Sequence, residues 1–136
     1  MNGNVFTYGS LMFEEVWGKV VSGRYQSQAA ILHDHRRYAI TGVSYPAMVA
    51  MPGEQVAGLL YLDVSADDMA RLDAFEGDEY RRDALPVVLA SGETVSAWTY
   101  VWLDHGRLPD APWLSEAFRV HEFLEIHAPG TGESGN

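Results

Sequence analysis

The sequence predicts an α+β domain built on a small, mainly antiparallel β-barrel or curled sheet with a few short helices. Three observations carry this. Short runs of β-branched and aromatic residues recur along the chain, each bounded by turn residues. One segment alone carries both helix-start and helix-stop signals. The length, 136 residues, suits a single domain that can bury a real core. The domain is expected over 1–127. The tail "APGTGESGN" (128–136), rich in Gly, Ser, Pro and Thr, is expected to fray.

The elements follow in order. "VFTYGSLM" (5–12) starts as a strand and breaks at Tyr8-Gly9-Ser10 before apolar residues resume. Either this is an ordinary turn or the backbone there must approach something closely, which glycine permits. "FEEVWGKVV" (13–21) has the spacing of a short helix. "QAAILHDHRRYAI" (28–40) and "AMVAMPG" (47–53) read as extended and end at turn residues. "VAGLLYLDV" (56–64), "LPVVLA" (85–90) and "TVSAWTYVW" (94–102) are strands, with Ser91-Gly92 as a hairpin turn between the last two. "SADDMARLDAFEG" (65–77) is the clear helix. Ser65 with Asp68 forms a capping-box pattern, Asp replacing the usual Glu, and Gly77 is the preferred residue just past a helix end. "WLSEAFRVHEFLEIH" (113–127) reads as partly helical, with an ambiguous period.

Composition excludes several classes of function. The formal net charge is −10, from 19 acidic residues against 9 Lys and Arg. Nucleic-acid binding draws on neutralised phosphates, so this balance argues against it. The adjacent basic pairs, Arg36-Arg37 and Arg81-Arg82, form no patch, and the acidic surface suits solubility. No apolar run approaches the ~18 residues of a membrane span. Met1-Asn2-Gly3-Asn4 does not open a secretion signal. Zero cysteines exclude disulfides, thiolate nucleophiles and Cys-type zinc sites. A soluble cytoplasmic protein is expected.

One carboxylate stands out. Around the 65–76 helix Met69, Leu72 and Phe75 share the arc that must press on the sheet, while Asp67, Arg71 and Ala74 project oppositely. Glu76 falls inside the apolar arc, four residues after Leu72. Turned inward, its carboxyl is desolvated and lies at the negative end of the helix dipole. Both raise its pKa, and such a group can accept and return protons near neutrality. The other placement lets Glu76 swing past the helix end into solvent.

Together "YGSL" (8–11), "YPAMV" (45–49), "VAGLLYLDV" (56–64), "LDAFEGDEYRR" (72–82) and "SAWTYVW" (96–102) resemble the gamma-glutamylcyclotransferase-like family, including its avirulence-induced-gene-like branch. The resemblance runs from about residue 5 to about residue 120. "YGSL" alone is a weak match; followed some sixty residues later by "LDAFEGDEYRR" it is specific. It implies a small β-barrel flanked by helices, with a pocket between the "YGSL" turn and the "EG" helix end. It implies release of 5-oxoproline from gamma-glutamyl amides without metal or cofactor, and it aligns Glu76 with the catalytic glutamate. Such cyclisation needs no enzyme nucleophile, because the substrate's own α-amine attacks its γ-carbonyl. The enzyme must fix the ring-like pose and move protons. Backbone N–H groups around Gly9, Ser10 and Leu11 suit the developing oxyanion or the α-carboxylate. Tyr8 and Tyr80 are candidate pocket members, Tyr8 being equally suited to core packing.

Rival sites are weaker. Ser10 lacks the second glycine of the Gly-x-Ser-x-Gly elbow. His33 and His35 share one face of a strand but have no third ligand at an obvious spacing. Asp78 and Glu79 follow a helix-terminating glycine and belong to a solvated loop rather than a carboxylate dyad. A different class of function remains open, a non-catalytic pocket protein that binds a small gamma-glutamyl metabolite. The leaving amine is not legible. The acidic chain suits a small gamma-glutamyl amine or amino acid better than an anionic tripeptide.

Overall fold

A computed structural model describes residues 3–40, 45–103 and 113. It contains strands β1 (Gly3–Thr7), β2 (Ser27–Ala39), β3 (Pro46–Val64), β4 (Tyr80–Leu89) and β5 (Thr94–Trp102), with helices α1 (Glu14–Val20) and α2 (Ala66–Glu76). The strands close into a barrel in the order β1-β3-β2-β4-β5. Every paired neighbour is antiparallel except β1 and β5, which run parallel. The predicted mainly antiparallel barrel with flanking helices is therefore the architecture found. The expected helix over 113–127, apart from Trp113, and the tail over 128–136 lie outside the described residues.

Strand alternation builds two cores from one sheet. Phe6 and Tyr8, Ala30 and Leu32, Val56 and Leu60, and Ala97 and Val101 form one cluster with Met48 and Val87, filling the barrel. Intervening residues such as Val5, Tyr61 and Tyr100 form a second cluster with Val16, Trp17 and Val20 of α1 and Met69, Leu72 and Phe75 of α2. Trp17 stacks on Tyr61 with ring centroids 3.6 Å apart and planes 6° from parallel.

Two expected boundaries need correction. Segments 47–53 and 56–64 are one 19-residue strand, β3. Gly53 does not end a strand. It takes a left-handed φ of 88° and donates its N–H to Asp34 Oδ1 at 3.0 Å. Asp34, itself at φ 61°, marks a break in register on β2, where pairing passes from His33 and Gln55 to His35 and Ala50. The turn residues signalled a bulge that bends a long hairpin, as barrel closure requires. The left-handed residue also breaks the alternation that would have put His33 and His35 on one face. β4 begins at Tyr80 rather than at 85, since Tyr80 to Leu85 pair with Trp102 to Ala97 despite their charges. The hairpin at Ser91-Gly92 forms as expected, with Gly92 at φ 90° donating to Leu89 O.

Gly58 is demanded by packing. A Cβ there would collide with the Thr7 carbonyl oxygen and lie 2.8 Å from Phe6 Cζ. β1 crosses β3 too closely for any side chain at this position. Gly58→Ala is expected to cost about 3 kcal/mol, the upper end of core overpacking. A denaturant midpoint unchanged from the parent would contradict this.

β1 and β5 share a single backbone bridge, Val5 to Trp98. Beyond it the seam is held through side chains. Thr99 Oγ1 donates to Phe6 O at 3.0 Å, and the Tyr8 hydroxyl donates to Tyr100 O at 2.5 Å.

Candidate active site

α2 delivers Glu76 to this seam. Ser65 caps the helix, its hydroxyl accepting the Asp68 N–H at 3.2 Å. The reciprocal half of the capping box is absent, because Asp68 is otherwise engaged and the Ser65 N–H donates to the Tyr25 hydroxyl. Asp68 is 1% exposed and accepts from the Ser22 and Gly23 N–H groups at 2.9 Å, the Tyr25 hydroxyl at 2.5 Å and Arg71 at 2.6 Å. Burial alone would raise its pKa. The hydrogen bonds from Ser22, Tyr25, Gly23 and Arg71 outweigh that and hold its carboxyl well below the usual carboxylate range. Asp68 therefore pins α2 to the segment after α1. Gly77, at φ 79°, ends the helix with its N–H on Asp73 O, and Asp78 and Glu79 form an exposed turn as expected.

The inward placement of Glu76 is the one observed, with 4% of the residue exposed, while Asp67, Arg71 and Ala74 are exposed. Glu76 lines a small, partly open cavity together with Phe6, Thr7, Tyr8, Gly9, Leu11 and Tyr100. The space is about 10 Å³, roughly that of one water. Oε2 of Glu76 is buried and accepts no hydrogen bond from a described residue. Burial first, and then the Asp73 carboxylate, push the Glu76 carboxyl well above the ordinary glutamate value.

The structure brings Tyr8, Gly9, Leu11 and Glu76 to one cavity. Tyr8 both packs in the barrel core and lines this cavity, so the two roles expected of it are not exclusive. Burial, and then the charge of Glu76, push its hydroxyl well upward, with Arg37 pulling the other way. Ser10 is fully buried in a short 3₁₀ turn, Ser10–Met12, and does not line the cavity. In that turn the Met12 and Phe13 N–H groups donate to the Gly9 and Ser10 carbonyls. The N–H groups of Gly9, Ser10 and Leu11 precede this ladder and are not donors within it. Tyr80 is buried beside the cavity rather than on its wall, its hydroxyl donating to Pro46 O at 2.6 Å. Burial, then Tyr8, then Glu76 push the Tyr80 hydroxyl well upward.

Three participants were not legible in the sequence. Tyr100 sits on the outward face of β5, yet α2 covers it and its hydroxyl donates to Asp73 Oδ1 at 2.7 Å. Thr7 ties the end of β1 to Leu59 O. Arg37 donates to the Tyr8 carbonyl at 2.8 Å and lies over the Trp113 ring at 5.2 Å. Each meets its partner across 27 residues or more of sequence, whereas Asp68, which holds the helix, left a local signal. It shares the i, i+4, i+8 row with Leu72 and Glu76.

Residues 5–116 match the family described as Gamma-glutamyl cyclotransferase, AIG2-like. The chain belongs to this family. Among its relatives, AIG2-like protein D of Arabidopsis thaliana is 33% identical over 129 residues, covering 93% of this chain and 82% of that one. A solution structure from Arabidopsis thaliana superposes with a TM-score of 0.73 at 28% identity, over 93% of this chain and 83% of the other. A gamma-glutamyl cyclotransferase structure shares the fold with a TM-score of 0.68 at 17% identity, covering 80% and 71% of the two chains. The AIG2-like members thus match over nearly the whole barrel and both helices.

Proposed function

We propose that this AIG2-like protein is a cofactor-independent gamma-glutamyl cyclotransferase. It releases 5-oxoproline from a gamma-glutamyl amine or gamma-glutamyl amino acid, with Glu76 as general acid and base. The observation that carries the reading is the buried Glu76 carboxyl on the same cavity wall as Tyr8, Gly9 and Leu11. Family membership and the shared fold with a gamma-glutamyl cyclotransferase support it.

The chemistry needs few parts. The substrate's α-amine attacks its γ-carbonyl carbon, a C–N bond forms, and the carbonyl oxygen takes the negative charge. Collapse expels the amine and leaves the five-membered lactam. Glu76 takes one proton from the ammonium before attack and a second from the same nitrogen as the lactam forms, passing each to the departing amine, which leaves as an ammonium ion, so the enzyme ends as it began. An ammonium facing Glu76 favours its carboxylate over the acid, and the pair holds one proton ready for transfer. The Gly9–Leu11 amides are the proposed donors to the oxyanion or the α-carboxylate, with Tyr8 and Tyr80 shaping the glutamyl subsite. The cavity has room for about one water, so binding requires its wall to move outward.

The net charge of −10 favours a small gamma-glutamyl amine over an anionic peptide. Incubation with gamma-glutamyl amines and dipeptides, followed by chromatographic assay, is expected to yield 5-oxoproline and free amine in equal amounts. Saturable binding without 5-oxoproline would instead identify a non-catalytic metabolite-binding protein.

A further inference from the structure

Asp73 lies one helical turn before Glu76 and has its own set of partners. The Tyr100 hydroxyl donates to its Oδ1 at 2.7 Å, and Arg82 Nε approaches the same oxygen at 3.3 Å. Arg82 in turn lies over the Trp98 ring at 4.7 Å. These groups tie the last turn of α2 to β4 and β5, and Tyr100 also lines the Glu76 cavity. We propose that Asp73 is a positioning residue for Glu76. Clasped by Tyr100 and Arg82, it aims the end of α2 at the Tyr8–Leu11 turn and sets a fixed negative charge beside the working carboxyl. The proposal rests on the reading that Glu76 transfers protons.

The neighbourhood assigns this role to Asp73. Tyr8 faces Glu76 from the segment after β1, Tyr80 from β4 and Tyr100 from β5, and burial keeps all three phenols neutral well past their ordinary range. Glu79 and Tyr45 bear on Tyr80, and Arg37 of β2 bears on Tyr8. Asp73 is the charge that bears directly on Glu76 among the described residues, and it raises that carboxyl's pKa after burial. Asp73 and Arg82 are themselves partly open to solvent, their side chains 43% and 31% exposed. The coupling is therefore screened and moderate.

The test is the pH dependence of kcat/KM for 5-oxoproline release, whose acidic limb reports the free enzyme's base. Asp73→Asn keeps an acceptor for Tyr100 but loses the charge. It is expected to move the acidic limb to lower pH by roughly half a unit, by an amount that shrinks as salt is raised. Arg82→Gln leaves Asp73 without its cation and is expected to move the limb the opposite way. If both variants keep the parental limb and lose activity equally at every pH, Asp73 is structural only and the proposal is overturned. Should Asp73→Asn not fold, the Arg82→Gln shift decides alone, an unmoved limb again overturning it. Glu76→Gln separates the two levels. If that variant turns over normally, the underlying reading of Glu76 fails whatever Asp73 does.

Discussion

Glu76→Gln is expected to lower kcat for 5-oxoproline release by roughly 10²- to 10⁴-fold, the usual contribution of a general acid–base group. The amide is close in size and cannot carry the proton, so the fold should persist. Stability should change in the opposite direction to activity. A carboxyl whose folded pKa is raised contributes stability that is fully present below its unfolded value, about 4.3, and lost as pH rises through the folded value. Burial and Asp73 raise that folded value. Glu76→Gln removes the ionisation and should melt higher than the parent under alkaline conditions, with the two curves converging in acid. Thermal melts across pH check this. A variant less stable than the parent at alkaline pH would show that the carboxylate is well accommodated, and the raised proton affinity would be refuted. A functional carboxyl that costs stability is the familiar trade between activity and folding.

Asp68→Ala should produce the largest loss of stability. It removes the acceptor of the Ser22 and Gly23 N–H groups, the Tyr25 hydroxyl and Arg71 at once. Leaving several donors without their acceptor costs about 3 kcal/mol or more after allowing for partial solvent access, or roughly a 10 °C drop in Tm. The pH dependence has the reverse sign to that of Glu76. The folded pKa of Asp68 is depressed, so its stabilisation is present above the unfolded value near 3.9 and disappears as pH falls through the folded value. Above about pH 5 the gap between parent and variant should therefore be constant, and it should narrow only in strong acid. A gap that already shrinks between pH 7 and 5 would contradict the network. The variant also tests the site indirectly, since Asp68 holds the helix that carries Glu76.

Much of this was written locally. Ser65, Gly77 and the spacing of Met69, Leu72 and Phe75 defined α2 and turned Glu76 inward, because a helix repeats its faces over one or two turns. Short runs of β-branched and aromatic residues bounded by turn residues located most of the strands, again from local sequence. Failures arose where distant segments decide. Gly53 looked like a strand end but pairs with Asp34 in a bulge, a fact that depends on β2 and β3 lying side by side. Arg81, Arg82 and Asp83 hid the first half of β4, whose pairing with β5 overrides their polarity. Asp68 looked like half of a capping box, yet the Tyr25 hydroxyl accepts the Ser65 N–H in its place while the Asp68 carboxylate serves Ser22 and Gly23. Tyr100 and Asp73 meet because α2 covers β5, which no window of one element reveals.

The central claim is that one buried carboxyl works against the Tyr8–Leu11 turn, and carbon NMR of the Glu76 side chain measures it most directly. Titrated with and without 5-oxoproline, the Glu76 carboxyl signal is expected to change well above the normal glutamate range. Its midpoint should move when 5-oxoproline binds, with simultaneous shifts of the Gly9 and Leu11 amides. A midpoint near 4.3, the value of an ordinary glutamate, with Gly9 and Leu11 indifferent to 5-oxoproline, would contradict it.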